Sequence, residues 1–331
     1  MLPGLIDLAS EIVGGKALSA SNDFFAPKEN LLKADAPVFL PDKYTDRGKW
    51  MDGWESRRKR TPGHDWCVVR LGLPGVARTV DVDTSHFLGN FPEHCSLDGA
   101  AVGGDPAEKD WTPVLAKVRL AGGGHNLFDA QHTGRLTYVR LNIFPDGGVA
   151  RLRVYGEVVP DLKKLKRSSE PVDVASVVNG GRVLASSDNF FGHEQNLILP
   201  GRPANMGGGW ETRRRRGPGY DWIIVQLGAR AKIQKISVET EHYQGNYPDR
   251  CTIDICDARG DVRDAAGTLF QDLITGKVAW REIVPAAKLE ANAARQFESE
   301  LKAAPAATHV RLNIYPDGGV SRLRVFGKIV E

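Results

Sequence analysis

Val139–Gly156 reads VRLNIFPDGGVARLRVYG, and Val310–Gly327 reads VRLNIYPDGGVSRLRVFG. In each stretch two runs of alternating apolar and polar residues flank Pro-Asp-Gly-Gly. Alternation at period two is the pattern of a half-buried strand, and Pro-Asp-Gly-Gly is turn chemistry. Both stretches therefore predict strand–turn–strand. Three further blocks return in the same order. DLASEIVGGKALSASNDFF (Asp7–Phe25) recurs as DVASVVNGGRVLASSDNFF (Asp173–Phe191). WESRRKRTPGHDW (Trp54–Trp66) recurs as WETRRRRGPGYDW (Trp210–Trp222), and VDVDTSHFLGNFPEHC (Val80–Cys95) as ISVETEHYQGNYPDRC (Ile236–Cys251). Chance does not return four blocks in order, so the chain is a duplication.

The expected domains are residues 1–160 and 161–331, joined by the charged, proline-bracketed PDLKKLKRSSEP (Pro160–Pro171). Units of about 160 residues can each build a full core. WCVVRLG (Trp66–Gly72) and WIIVQLG (Trp222–Gly228) read as short strands closed by glycine. TVDVDTSHF (Thr79–Phe87) and KISVETEHY (Lys235–Tyr243) read as separate alternating strands. PAAKLEANAARQFESELK (Pro285–Lys302) has a helix-like composition, but its alignment with the first copy gives strand and loop. Extra residues around Leu40–Trp50 and Asp257–Asp272 read as surface-loop insertions. Many short strands without alternating helices predict an all-β chain of two tandem jelly-roll β-sandwiches.

Composition narrows the class. Of 331 residues, 41% are hydrophobic and 26% charged, the balance of a soluble globular protein. No apolar run approaches the roughly 20 residues needed to span a bilayer, so no membrane partner is expected. The 44 basic and 41 acidic residues leave a net charge of +3, too small an excess for a general polyanion binder. Glutamates and tryptophans flank the basic runs, and no nucleic-acid partner is expected. The opening residues lack the basic and apolar regions of a secretory signal. The four cysteines, Cys67, Cys95, Cys251 and Cys256, form no CxxC pair and read as free thiols buried on strands of a cytoplasmic protein.

Candidate chemistry lies in the duplicated blocks. Glu55, Arg57 and Arg58 match Glu211, Arg213 and Arg214. Arginine forks grip carboxylates through paired hydrogen bonds, so these runs are an anion site or a salt-bridge network. His86 and His242 end strands ahead of GNFP and GNYP, either as proton carriers or as packed rim residues. Asn142 and Asn313 carry amides able to match a urea group. Asp146 and Asp317 either cap the turn or join them, and Arg151 and Arg322 are expected at the same rim. The copies differ at His64/Tyr220, Ser85/Glu241 and His94/Arg250. The scattered histidines have no metal-ligand spacing. No metal site or cofactor is expected; a divalent ion stays open, with Asp23 and Asp188 as weak candidates. Nothing resembles a nucleophile elbow, a P-loop or a dinucleotide fingerprint.

At DGWESRRKRTPGHDW with GGWETRRRRGPGYDW, ETEHYQGNYPDRC, and the doubled RLNI(F/Y)PDGGV(A/S)RLRV(Y/F)G, the sequence resembles the allantoicase family over nearly the whole chain. The resemblance implies galactose-binding-like jelly rolls, a homo-oligomer, and hydrolysis of the small molecule allantoate to ureidoglycolate and urea in purine degradation. The chemistry of that implied substrate, rather than the family's own residues, assigns Arg57 and Arg213, with Arg58 and Arg214 as rivals, to its carboxylate. Glu55, Glu211, His86 and His242 would move protons, and Asn142, Asn313, Asp146 and Asp317 would recognise ureido groups. The rival readings are a non-catalytic double sandwich that binds carbohydrate or a protein partner, and a hydrolase of a related ureido or amidine compound.

Overall fold

The computed structural model describes residues 4–258 and 268–330. They form two compact units that divide between Pro160 and Asp161. In the first, an eight-stranded antiparallel sheet is built from β1 (Ile6–Asp7), β2 (Lys16–Ala20), β6 (Asp65–Asp83), β7 (His94–Ala100), β8 (Thr112–Arg119), β9 (Leu127–Asp129), β10 (Leu136–Phe144) and β12 (Arg151–Val158). The strand order is β1-β12-β6-β10-β7-β8, with β2 and β9 also on β6. A small ladder joins β5 (Trp54–Glu55) to β11 (Gly148–Val149), and the Leu40–Trp50 insertion carries the exposed hairpin β3 (Tyr44–Thr45) and β4 (Gly48–Lys49).

The second unit repeats the pattern. Its strands are β13 (Val172–Asp173), β14 (Arg182–Ser186), β15 (Trp210–Glu211), β16 (Asp221–Glu239), β17 (Arg250–Cys256), β18 (Arg281–Lys288), β19 (Ala294–Phe297), β20 (Ala307–Tyr315), β21 (Gly319–Val320) and β22 (Arg322–Ile329). The order β13-β22-β16-β20-β17-β18 copies the first, with β14 and β19 on β16 and β15 paired to β21. Eight main strands per unit is the expected jelly roll. Pro285–Lys302 is strand and loop, as its alignment with the first copy predicts.

Two expectations need correction. Residues 66–72 and 79–87 are not separate strands. β6 runs unbroken from Asp65 to Asp83 and changes partners on the way. Asp65–Arg70 pairs with β10, and Gly75–Asp83 pairs with β12. Gly72-Leu73-Pro74-Gly75 lies where the partner changes from β10 to β12. A Cβ on Gly75 would lie 2.3 Å from the Glu157 carbonyl oxygen, so glycine is needed for this close approach. The second correction concerns the Asp257–Asp272 insertion, whose residues 259–267 lie outside the described part. Beyond them, helix α1 (Thr268–Thr275) is packed structure, not loop. Its Leu273 is buried with Leu184, Ile224 and Cys256, and Leu269 and Phe270 pack against them.

Inward-facing residues alternate along the long strands. Cys67, Val69, Leu71, Val80 and Val82 on β6 meet Val139, Leu141, Ile143, Leu152 and Val154, all buried. Each such side chain contributes about 1.5–3 kcal/mol of transfer free energy. All four cysteines are free and buried, and burial pushes each thiol up to about 12.

Candidate active-site clefts

Each unit carries one cleft at the rim where the duplicated blocks meet. It starts from the Trp-Glu dipeptide. Successive strand residues point to opposite faces. Trp54 is fully buried, with its indole N–H donating to the Asn22 carbonyl at 2.8 Å, so Glu55 is turned outward. Trp210 does the same for Glu211 through the Asp188 carbonyl, also at 2.8 Å. Pairing of Glu55 with Gly148, and of Glu211 with Gly319, sets the Pro-Asp-Gly-Gly turn beside the glutamate. Glycine is required in that turn. Gly147 has φ of 139° and Gly318 of 135°, and a Cβ on Gly147 would sit 2.7 Å from the Asn90 carbonyl oxygen.

The first cleft, of about 570 Å³, is lined by Glu55, Arg58, Asn90, Phe91, Glu93 and Asp146 among others. The second, of about 340 Å³, is lined by the matching Glu211, Arg214, Asn246, Tyr247, Asp249 and Asp317. Asn90 Nδ2 donates to Glu55 Oε1 at 2.7 Å, and Asn246 Nδ2 to Glu211 Oε1 at 2.6 Å. The Asn90 carbonyl also accepts from the Gly148 N–H at 2.8 Å, so one residue ties the glutamate to the turn. Burial pushes the Glu55 carboxyl above its ordinary range, and the Asn90 hydrogen bond only partly offsets this. Arg58 and Arg214 are exposed and have no carboxylate partner among the described residues.

The expected site residues divide. Glu55, Glu211, Arg58, Arg214, Asp146 and Asp317 come together in the clefts. Asp146 Oδ2 also accepts from the Lys59 N–H at 2.7 Å, and Asp317 Oδ2 from the Arg215 N–H at 2.8 Å, so both aspartates brace the basic segment. Arg57 and Arg213 do not line the clefts. Arg57 stacks on Phe24 at 3.6 Å, and Arg213 pairs with Asp188 at 2.8 Å. Asp188 therefore serves this turn, and Asp23 pairs with Lys28. His86 and His242 are likewise outside the clefts. Both sit at φ of 71°, and their Nε2 atoms contact the Pro37 carbonyl at 3.1 Å and the Pro203 carbonyl at 2.9 Å.

Asn142 and Asn313 are buried in the sheet. Each Nδ2 is spent, on Ser96 and Asp98 in one unit and on Thr252 and Asp254 in the other, leaving no donor for a ureido group. Arg151 and Arg322 are buried rather than at the rim. Arg151 pairs with Asp52 at 2.7 Å, and among the described residues Arg322 bonds only to backbone carbonyls. Asn90 and Asn246 were missed by sequence reasoning. Their signal was the Gly-Asn-aromatic-Pro block kept in both copies, which drew attention to the neighbouring histidines instead. Among the described residues no three His, Cys, Asp or Glu side chains gather as a metal site.

A half-buried carboxyl, a free guanidinium and a braced second carboxylate around one cleft can hold a small anion and move a proton on it. The Allantoicase repeat family matches this sequence twice, over residues 6–159 and 172–330. The chain belongs to the allantoicase family. "Probable allantoicase 1" of Burkholderia mallei (strain ATCC 23344) is 48% identical over 326 residues, covering 98% of this chain and 94% of that protein. "Probable allantoicase" of Rhizobium meliloti (strain 1021) is 47% identical over 335 residues, covering 99% and 95%. A crystal structure of allantoicase from Saccharomyces cerevisiae superposes with a TM-score of 0.80 at 32% identity, covering 98% of this chain and 93% of the yeast one. The family match confirms the duplication, and the yeast allantoicase confirms the fold.

Proposed function

We infer that this chain hydrolyses allantoate to ureidoglycolate and urea, the purine-degrading reaction of its family, and that it does so in the rim clefts. The supporting observation is the pairing, in one cleft, of a glutamate held by an asparagine with an arginine that has no carboxylate partner among the described residues. Allantoate carries a carboxylate and two ureido groups on one carbon. Arg58 or Arg214 offers its carboxylate a planar two-donor fork. Asp146 or Asp317, with one oxygen on the backbone, keeps the other to accept ureido N–H groups.

A ureido anion is a poor leaving group, so C–N cleavage needs a proton on the departing nitrogen. Glu55 is suited to give it, because burial keeps its carboxyl protonated to higher pH. The electron pair of the breaking bond leaves with urea, and the remaining ureido nitrogen closes a C=N bond. Water then adds to the carbon and gives up a proton, forming ureidoglycolate. We further propose a cytoplasmic homo-oligomer; the four free thiols suit a reducing compartment.

Urea release from allantoate by the purified chain tests this reading. Turnover, with and without prior chelation, is the expected result. A folded protein that releases no urea, with or without added divalent ions, overturns it.

A further inference from the structure

The two clefts share their blocks but not their charge. In the first, Glu93 is exposed and has no cationic partner among the described residues. Its counterpart in the second, Asp249, is held by Lys288 and by Arg250 at 3.0 Å. These two cations hold its carboxyl below the usual carboxylate range, the Lys288 hydrogen bond having the larger effect. Arg119 pairs with His94 where Lys288 pairs with Arg250, so both copies carry a cation at that strand position. Glu93-His94 stands where the second copy has Asp249-Arg250, so the first cleft loses the adjacent arginine and gains a longer carboxylate. Phe91 replaces Tyr247 on the wall, and the first cleft is the larger, about 570 Å³ against about 340 Å³.

Resting on the allantoate reading above, we propose that the clefts are unequal: the first turns substrate over, with Glu55 as acid and Glu93 as base, and the second binds the same ureido carboxylate without cleaving it. The proton balance calls for two carboxylates. Glu55 in its acid form gives a proton to the leaving nitrogen and becomes a carboxylate. The C–N pair departs with neutral urea, and the carbon is left as a ureido-iminium cation. Water adds to that carbon, and its surplus proton passes to Glu93, the exposed carboxylate on the cleft wall. Proton exchange with solvent returns Glu55 to its acid form and Glu93 to its base form. In the second cleft the Asp249 carboxylate is engaged by Lys288 and Arg250, and those contacts compete with the incoming proton. Arg214 and Asp317 still match the ligand there.

The test is the Glu93→Gln variant of the full chain. Its kcat for urea release should fall by about 10²-fold or more, the usual worth of a positioned acid or base, with KM changed by less than about threefold. Glu93→Asp should recover part of that loss. Calorimetric titration of Glu93→Gln with allantoate should give two binding events per chain. Two equivalent catalytic clefts would leave about half the wild-type rate, and that result overturns the proposal. A single binding event per chain, with turnover lost, also overturns it, because the second cleft would then bind nothing. A wild-type protein that releases no urea removes the allantoate reading itself, and this inference with it.

Discussion

Replacing Asp52 with alanine should destabilise the first unit by about 3 kcal/mol. The Arg151 side chain is only 2% exposed and that of Asp52 6%, with Nη2 and Oδ2 2.7 Å apart. Removing one partner of a buried pair costs about 3–5 kcal/mol, because the other charge stays buried. The second unit indicates the lower end of that range. There Gly208 stands in place of Asp52, and Arg322 survives on carbonyls alone, with burial pulling its pKa down to about 10. Arg151 would keep three such bonds, to the carbonyls of Asp35, Asp52 and Ala150. A loss of about 3 kcal/mol lowers the midpoint of a unit this size by about 6–12 °C. Urea denaturation at neutral pH reads it directly. The sign with pH is fixed. Burial raises the Asp52 carboxyl, but hydrogen bonds from Arg151, Lys33 and the Val38 N–H outweigh it and hold it below the ordinary range. The stabilisation is therefore present above the unfolded value, about 3.9, and is lost as pH falls through the folded one. A change below about 1 kcal/mol at neutral pH would show that carbonyls alone satisfy Arg151, and would refute this reasoning.

Glu55→Gln should lower kcat by about 10²–10⁴-fold while leaving stability at neutral pH unchanged or slightly raised. Its folded pKa is raised, so any stabilisation it contributes is present in acid and lost as pH rises through that value; thermal melts and urea-release rates check both parts. Asn90→Ala removes the one hydrogen bond that lowers the Glu55 pKa, so the limb of the kcat/KM–pH profile belonging to Glu55 should move to higher pH; a shift to lower pH contradicts the assignment. Leu273→Ala should cost the second unit about 2–5 kcal/mol without affecting the urea-release rate at low temperature, as measured by denaturation and assay in parallel.

The duplication and the strand pattern were legible because both rest on local periodicity. The Glu–Arg block was legible too, since the two residues are nearly adjacent. What sequence missed depends on distant chain. Asn90 meets Glu55 across a separation of 35 residues, and nothing in either segment announces the other. Histidine chemistry makes His86 a candidate proton carrier from sequence; its left-handed backbone and its bond to the Pro37 carbonyl are tertiary facts that sequence does not carry. Asn142 looked like a ligand, but alternation alone does not say which strand face receives a neighbour's carboxylate. Gly75 sits inside the continuous β6, where its close approach to the Glu157 carbonyl, not a chain reversal, calls for glycine.

Each repeat is stitched shut by its own ends. Ile6 pairs with Gly156 and Asp7 with Tyr155, while Val172 pairs with Gly327 and Asp173 with Phe326. On the ribosome, the first segment of a repeat must wait for the last before its edge is covered. Until residues 151–158 emerge, half of β6 lacks its partner, and an open ladder hangs at the tunnel mouth. Because synthesis is vectorial, the first repeat can close before the second is complete.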